Sequence, residues 1–325
     1  MFKLCHSLAA VVAINLVVAT SAVHAQEYPS RTVRIVVPQP PGGGTDTIAR
    51  LIADRLSKQL GQTFIVENRP GAGMNVGTEA AARADADGYT LLVGLNGNMA
   101  VNPSLFSTLR YDPIRDFTPV AMLANYPFLL VVNKDLPVKS VKDLIALAKA
   151  KTGTINYASA GNGTGQHLAM ELFKMLTGAN FTHVPYRGAQ ATYIDVFSGQ
   201  VPIFFDNIST AAAQVKGGMV RALAITTKER SKKMPDLPTV AESGIPNFEY
   251  HTWFGLWAPS KTPRPIIEKL NAEVRKALSD PDVIKNISAS SGESSTMPLA
   301  DIEPFVKAEI AKWAEVVKKA GVKIE

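Results

Sequence analysis

The sequence predicts an α/β protein with two lobes, and three observations support that prediction. Apolar runs of strand length alternate with segments of helical period along almost the whole chain, which is typical of parallel strands covered by helices. Residues 26–325 are more than one core usually holds, so two domains are expected. The order strand, glycine-rich turn, helix occurs twice, at 33–56 and at 154–176. Two such turns about one domain apart indicate two lobes that face each other.

The first 25 residues are predicted to be a signal peptide. Lys3 gives a positive start, and residues 8–23 are apolar apart from one asparagine and small hydroxyl residues. Val23-His24-Ala25 fits the small-x-small rule for cleavage after the alanine. A retained membrane anchor is disfavoured because a spanning helix needs about 20 apolar residues, whereas this stretch is shorter and is interrupted by Asn15. The mature chain is therefore expected to begin at Gln26 and to be exported.

Composition and charge exclude several classes of function. The chain is 46% apolar and 19% charged, as in an ordinary globular protein. The net charge of +6 becomes +5 when Lys3 is removed, which suits an anionic ligand or an acidic membrane surface. Nucleic-acid binding is disfavoured because the one basic cluster, 228–233, is interrupted by Glu229 and Ser231. The single cysteine, Cys5, lies in the leader, so no thiol chemistry is expected of the mature chain.

Strand-length apolar runs are predicted to form the sheets. They are Val33–Val37, Phe64–Val66, Thr90–Val93, Phe128–Val132, Ile155–Ala158, His183–Tyr186, Val201–Phe205 and Ala222–Thr226. Apolar residues at helical spacing predict the helices that follow. Their buried faces comprise Ile48, Leu51, Ile52 and Leu56, then Val141, Leu144, Ile145 and Ala148, then Leu168, Leu172, Met175 and Leu176. Two further amphipathic helices, at 266–278 and 302–317, close the chain.

The first glycine-rich turn, Pro38–Asp46, follows strand 33–37 and opens a helix. Its three successive glycines allow positive φ angles and let a ligand approach without a Cβ in the way. Unpaired N–H groups at a helix start, together with the aligned peptide dipoles, favour a negative charge there. A carboxylate is the natural occupant. The alternative is a turn shaped only for helix capping, with Thr45 or Asp46 as the N-cap.

A second turn, Ala158–His167, repeats this arrangement in the second half of the chain. Ser159 and Thr164 add hydroxyl donors, and each hydrogen bond to a charged group contributes about 1.5–3 kcal/mol. Two or three such bonds with some apolar contact reach the roughly 8 kcal/mol that micromolar binding requires. His167 is interpreted as a packed or exposed histidine rather than as a ligand contact.

Two further interpretations are left with an alternative. Asp206, after strand 201–205, is either a partner for an ammonium or ring nitrogen of the ligand or the N-cap of segment 208–216. Tyr186, Trp253 and Phe254 are expected in the core, with a pocket wall as the alternative.

Enzyme motifs are missing from the sequence. The chain has no G-x-x-x-x-G-K-[ST] run and no G-x-S-x-G elbow, and its glycine spacing departs from the dinucleotide motif. His167, His183 and His251 are far apart in the chain and form no H-E-x-x-H or comparable metal pattern. No catalytic residue, cofactor or metal ligand is therefore predicted. A secreted enzyme that uses Asp46 or Asp206 as a base remains the rival hypothesis.

Several segments together resemble the Bug family of extracytoplasmic solute receptors, which serve tripartite tricarboxylate transporters. They are Tyr28–Arg31, Val36–Asp46, Val66–Gly73, Asp87–Leu92, Tyr157–Thr164, Val184–Gly188, Pro238–Gly244 and Ala258–Pro259. The resemblance implies a periplasmic binding protein fold, type II, with two crossover strands near 126–131 and 252–257. The first lobe would comprise 26–126 plus 250–325, and the second lobe 127–249.

The resemblance also implies where the ligand binds. In the family, the two glycine-rich turns grip a ligand carboxylate between the lobes, often through bridging waters. With the polar residues interpreted above, the expected site comprises Gln39, Gly42, Gly43, Gly44, Thr45, Asp46, Ser159, Ala160, Gly163, Thr164 and Asp206. Position 39 is usually aromatic in similar sequences. Gln39 is therefore expected to contact the variable end of the ligand and to disfavour amino acids with apolar side chains.

The expected function is that of a monomeric periplasmic receptor without catalysis. Such a receptor captures a dicarboxylate, an aromatic acid or an amino acid, closes around it and passes it to the membrane subunits of a tripartite tricarboxylate transporter. A ligand-sensing partner of a two-component kinase is an alternative with the same fold and ligand.

Overall fold

One strand of 17 residues, Phe117–Asn133, connects two groups of strands in the computed structural model, which describes residues 28–321. Within these residues the strands are β1 (Val33–Val37), β2 (Phe64–Asn68), β3 (Thr90–Leu95), β4 (Phe117–Asn133), β5 (Asn156–Ser159), β6 (Thr182–Pro185), β7 (Ile203–Asn207), β8 (Val220–Ile225), β9 (His251–Pro259) and β10 (Glu293–Ser294). The predicted leader, with Cys5 and the cleavage site, lies outside the described residues.

Helices connect and cover these strands. In chain order they are α1 (Gly44–Leu60), α2 (Asn75–Ala82), α3 (Asn102–Leu105), α4 (Val141–Ala150), α5 (Gly165–Thr177), α6 (Ala189–Ser198), α7 (Ile208–Lys216), α8 (Arg264–Leu278), α9 (Pro281–Ala289) and α10 (Leu299–Ala320). A 3-10 turn, Ala72–Met74, precedes α2, and a π turn, Gly97–Val101, precedes α3. Of the helices between residues 28 and 321, none combines the length and apolar character that a membrane crossing requires.

The first strand group has the order β2-β1-β3-β9-β4. β1 pairs in parallel with β2 and with β3. β9 lies between β3 and β4 and is antiparallel to both, and its partners on β4 run from Phe117 to Pro127. The short β10 pairs with the same part of β4.

The second strand group begins on β4 where the first group ends. Residues Phe128 to Val132 pair antiparallel with β7, and residues Leu129 to Asn133 pair antiparallel with β8. Parallel pairs extend the sheet from β7 through β5 to β6. The chain returns to the first group at His251. The result is a two-lobed α/β fold in which a strand crosses from one lobe to the other. The domain limits at 126/127 and 249/250 stay a prediction.

Each predicted strand overlaps an observed strand, and the predicted helix faces lie within the observed helices. β1 has the predicted bounds, and the side chains of Ile48, Ile52 and Leu56 on α1 are at most 1% exposed. Strands covered by helices on both faces bury both sets of side chains, which explains their continuous apolar runs. The first half of β4 and the two-residue β10 lie outside the predicted strands.

The start of α1 differs from the predicted cap. Gly43 is the N-cap, and no side chain caps the helix, so the prediction of Thr45 or Asp46 as N-cap is wrong. Both side chains bond elsewhere: the Thr45 hydroxyl donates to Gln39, and the Asp46 carboxylate accepts from the N–H of Gly42. Glycine makes the earlier start possible, because Gly42 adopts a φ of 86° that other residues avoid.

Candidate ligand-binding site

The starts of three helices meet at a cavity of about 720 Å³. Gly44 and Thr45 line it from α1, Gly165 and Gln166 from α5, and Ser209 from α7. The first N–H groups of a helix have no partner within the helix, and they carry the positive end of its dipole. The shared cavity is therefore suited to a negatively charged group.

The wall of this cavity combines apolar and polar side chains without charged ones among the described residues. Among the described residues that line it, none is Asp, Glu, Lys, Arg or His. The amide side chains of the wall belong to Gln39, Asn96, Asn102, Asn162, Gln166 and Asn207. Its larger apolar and aromatic side chains belong to Met74, Leu95, Phe106, Tyr126, Phe128, Leu168, Tyr250 and Phe254. Apolar walls with a few oriented polar groups are typical of small-molecule sites.

Asp46 holds the first glycine-rich turn from behind the cavity. Its buried carboxylate accepts hydrogen bonds from Arg50 Nε at 2.9 Å, from the N–H of Gly42 at 3.0 Å and from Asn68 Nδ2 at 2.9 Å. The hydrogen bond from Arg50 is the main cause that lowers the pKa of Asp46 to about 2, against the opposing effect of burial. Both carboxylate oxygens of Asp46 accept hydrogen bonds from protein groups, and these bonds fix the shape of the turn.

Gln39 has a fixed amide orientation at the cavity wall. Its Oε1 accepts a hydrogen bond from the Thr45 hydroxyl, and its Nε2 lies 3.6 Å from the sulfur of Met74. The backbone carbonyl of Gln39 accepts from Asn68 Nδ2 at 3.1 Å. Sulfur is a weak acceptor, so the amide nitrogen is the atom that a ligand oxygen would engage.

Two stacked histidines lie behind the second glycine-rich turn. The rings of His167 and His183 are parallel within 6°, with centroids 4.0 Å apart. The N–H of Gly163 donates to Nδ1 of His167 at 3.0 Å, and Oγ of Ser159 lies 2.6 Å from Nε2 of His183. His183 therefore holds the beginning of the turn at Ser159, and His167 holds its later part at Gly163.

Burial favours the neutral form of both histidines. Burial lowers the pKa of His167 to about 4, and the adjacent His183 adds to this shift while Glu171 opposes it. Burial also lowers the pKa of His183. Two positive rings 4.0 Å apart would repel each other by about 4 kcal/mol at an effective dielectric constant of about 20.

Asp206 is buried and reaches the cavity only through a neighbour. Its carboxylate accepts from the Tyr193 hydroxyl at 2.9 Å and from Gln166 Nε2 at 3.3 Å, and burial raises its pKa. The N-cap of α7 is Asn207, whose side chain accepts from the N–H of Ser209 at 3.0 Å. The prediction of Asp206 as that cap is therefore wrong.

The predicted site residues divide into two sets. Those that line the cavity are Gln39, Gly44, Thr45, Gly163 and Thr164. Those that lie outside its lining are Gly42, Gly43, Asp46, Ser159, Ala160 and Asp206. Gly42 and Gly43 are exposed, and the carbonyl of Ala160 accepts from the N–H of Gly188 at 3.2 Å. Ligand contact by any of these residues stays a prediction.

Sequence patterns did not indicate a place in the cavity wall for Phe106, Tyr126, Phe128 and Tyr250, which line it. Phe254 was predicted to be either a core residue or a pocket wall. It is both, because its side chain is buried and also lines the cavity. Tyr250 accepts a hydrogen bond from Asn96 Nδ2 at 3.1 Å, and a Cβ at Gly165 would collide with its hydroxyl. The glycine at the start of α5 is a local signal of this close approach.

Comparison with known proteins identifies the relatives of this chain. Residues 48–322 match the family described as tripartite tricarboxylate transporter family receptor, TctC. BugT of Bordetella pertussis is 37% identical over 317 residues, which cover 96% of this chain and 97% of BugT. Rpa4515 of R. palustris, solved with adipate, is 39% identical with a TM-score of 0.78, over 91% of this chain and 99% of that one.

Two further solved structures agree with these matches. MatC from Rhodopseudomonas palustris, with bound malate, is 37% identical with a TM-score of 0.74, over 89% of this chain and all of that one. The periplasmic binding protein BugD is 34% identical with a TM-score of 0.75, over 92% of this chain and all of that one. With this fold, this cavity and these matches, the chain belongs to the TctC family of periplasmic solute-binding receptors, as the Bug proteins do.

Proposed function

We propose that the mature protein captures a small carboxylate in the periplasm and delivers it, chemically unchanged, to the membrane subunits of a tripartite tricarboxylate transporter. The observation that supports this most is the meeting of the starts of α1, α5 and α7 at one cavity. A carboxylate there accepts hydrogen bonds from main-chain N–H groups in the positive ends of the helix dipoles. Such a site needs no cationic side chain.

The proposal gives the ligand two ends. Its first carboxylate lies between Gly44 and Gly165, and its body lies against Phe106, Tyr126 and Phe254. The other end meets the amide nitrogen of Gln39. Dicarboxylates are the first class to test, because adipate and malate occupy two similar structures. Aromatic acids and amino acids follow, and amino acids with apolar side chains come last because Gln39 is polar.

The proposal also covers how the protein reaches its place of action. Residues 1–25 direct export and are removed after Ala25. The receptor then works as a monomer whose lobes comprise 26–126 plus 250–325 and 127–249, with the ligand between them.

Thermal unfolding of residues 26–325 with a panel of acids tests this function. The panel contains adipate, malate, benzoate, glutamate and leucine, with hexanediol as the uncharged counterpart of adipate. A ligand at about 100 times its Kd adds about 2.7 kcal/mol to the free energy of unfolding. We expect at least one dicarboxylate to raise Tm by several degrees and hexanediol to leave it unchanged.

Titration calorimetry and recovery of the ligand complete the test. A binder from the panel should give one site per chain, and NMR of the recovered acid should show it intact. Turnover of the acid would support the rival hypothesis of a secreted enzyme. If none of the acids shifts Tm, the assignment of a carboxylate ligand is wrong.

A further inference from the structure

The second glycine-rich turn is held by residues that do not line the cavity. Ser159, at its beginning, contacts Nε2 of His183, and Gly163, near its end, donates its N–H to Nδ1 of His167. Gly163 and Thr164 are themselves part of the cavity wall. The stacked imidazoles therefore act on ligand-facing backbone from the side away from the ligand.

This arrangement requires His167 to be neutral. An imidazole nitrogen accepts a hydrogen bond only through a lone pair, and a proton on Nδ1 removes that lone pair. The Gly163 N–H would then face another N–H, and the turn would have to change its shape. Gly163 has a φ of 73° and Gly161 a φ of 136°, so this glycine-rich backbone is able to move to other conformations.

The charged and titratable groups around the pair come from α5, β5 and β6. Glu171 Oε1 lies 3.9 Å from Nε2 of His167, and it accepts hydrogen bonds from Lys174 at 2.8 Å and from the Tyr157 hydroxyl at 2.5 Å. The ring of Tyr157 also stacks on His183, with centroids 4.8 Å apart. Glu171 favours a charged histidine, whereas burial, the second ring and Lys174 oppose it, and the pKa of His167 is lowered to about 4.

We propose that His167 and His183 are positioning residues of the ligand site: the rings hold the turn from Ser159 to Thr164 toward the cavity, and protonation of His167 in acid releases the turn and the ligand. The effect on the turn stands on the contacts above. The effect on ligand affinity also rests on the proposed function.

The effect on the turn is tested without any ligand. In ¹⁵N-labelled mature protein, the amide resonance of Gly163 is followed from neutral pH to about pH 4. We expect it to shift as its acceptor gains a proton. His167→Asn is the matched control, because the Asn side-chain oxygen is placed near the position of Nδ1 and does not titrate. A Gly163 resonance that does not move in the wild type, or that moves equally in His167→Asn, overturns the proposal.

The effect on binding is tested with adipate by calorimetry over the same pH range. Adipate itself is protonated to the same extent with every variant. The difference in affinity loss between wild type and His167→Asn therefore measures the effect of protonating His167. We expect affinity at pH 4 to fall about twofold more in the wild type than in His167→Asn, because about half of the His167 side chains are then protonated. At neutral pH, His167→Phe keeps a stacked ring without an acceptor, and its affinity should be at least tenfold weaker. Circular dichroism confirms that each variant is folded.

The two proposals fail in different ways. If adipate and the rest of the panel do not bind the wild type, the carboxylate function and the ligand-release part are wrong, while the Gly163 resonance still decides the role of the histidines. If adipate binds but His167→Phe has wild-type affinity, the receptor function stands and the positioning role is wrong.

Discussion

Two glutamine side chains give the cavity polar groups of opposite kinds. Thr45 donates to the amide oxygen of Gln39, which leaves the amide nitrogen as the donor on the cavity wall. Asp206 accepts from the amide nitrogen of Gln166, which leaves the oxygen as an acceptor. Thr45 fixes the orientation of the Gln39 amide, and Asp206 fixes that of the Gln166 amide. The cavity wall therefore has an amide N–H at the first turn and an amide carbonyl at the second.

Gln39→Phe is expected to change which acids bind. The substitution removes the amide donor and adds apolar surface, so dicarboxylates should lose about tenfold in affinity relative to acids with an apolar tail, a change of about 1.4 kcal/mol. Calorimetry with adipate and hexanoate measures this ratio. Thr45→Val is the matched variant, because it removes only the hydroxyl that orients Gln39 and should change the ratio in the same direction. An unchanged ratio in both variants would show that Gln39 does not contact the ligand.

Sequence patterns located the turns but not the direction of each side chain. Gly44, Thr45, Gly163 and Thr164 line the cavity because the helix starts themselves face it. Asp46 lies on the same turn, yet it points away because Arg50 and Asn68 surround it. Asn68 is on β2, distant in sequence, and local spacing contains no information about such a partner.

At the scale of elements, one carboxylate joins α10 to β9. Glu309 is buried and accepts hydrogen bonds from the indole N–H of Trp253 and of Trp313, each at 3.1 Å, and it pairs with Lys312. Burial raises the pKa of Glu309, but the charge of Lys312 and these hydrogen bonds outweigh burial, and the pKa is lowered overall. The last helix is thereby tied to β9 of the first group.

Glu309→Leu should lower the free energy of unfolding by about 3 kcal/mol, because two buried indole donors lose their acceptor. Glu309→Gln, which keeps one acceptor oxygen, should lose less. A carboxylate with a lowered pKa stabilises the fold above its unfolded pKa of about 4.3 and loses that contribution as the pH falls. Wild type should therefore be destabilised by acid more than Glu309→Gln. Urea unfolding followed by tryptophan fluorescence at neutral and acidic pH measures both effects, and equal stability of Glu309→Leu and wild type would contradict them.

The elements that sequence patterns missed are those whose partners lie far away in the chain. The parallel strands were predicted because burial on both faces gives continuous apolar runs. The part of β4 before Phe128 contains Pro119, Asn125 and Pro127, which interrupt such a run. It is held in place by β9, more than one hundred residues later, and that pairing has no local signature.

At the scale of the whole molecule, both strand groups contribute to the cavity. Gln39 and Thr45 come from the first group, whereas Gly163, Gln166 and Asn207 come from the second. A ligand that contacts both groups is expected to favour a conformation in which they approach each other.

Spin labels at two exposed positions measure this approach. Ile65→Cys lies on β2 of the first group and Ile194→Cys on α6 of the second, and the mature chain has no other cysteine. Addition of a ligand should shorten the distance between the labels and narrow its distribution. The pair Ile65→Cys and Val76→Cys, with both positions before β4, should show no change. If the first pair behaves like the second, ligand binding does not bring the groups together.

The position of β9 has a consequence for how the protein is made. β3 ends at Leu95 and β4 begins at Phe117, but the strand that lies between them starts only at His251. During translation, two strand edges therefore remain without hydrogen-bond partners until most of the polypeptide has left the ribosome. Because β9 is needed to complete the first sheet, we expect this strand order to delay folding of the first group until residues 251–259 have been synthesised.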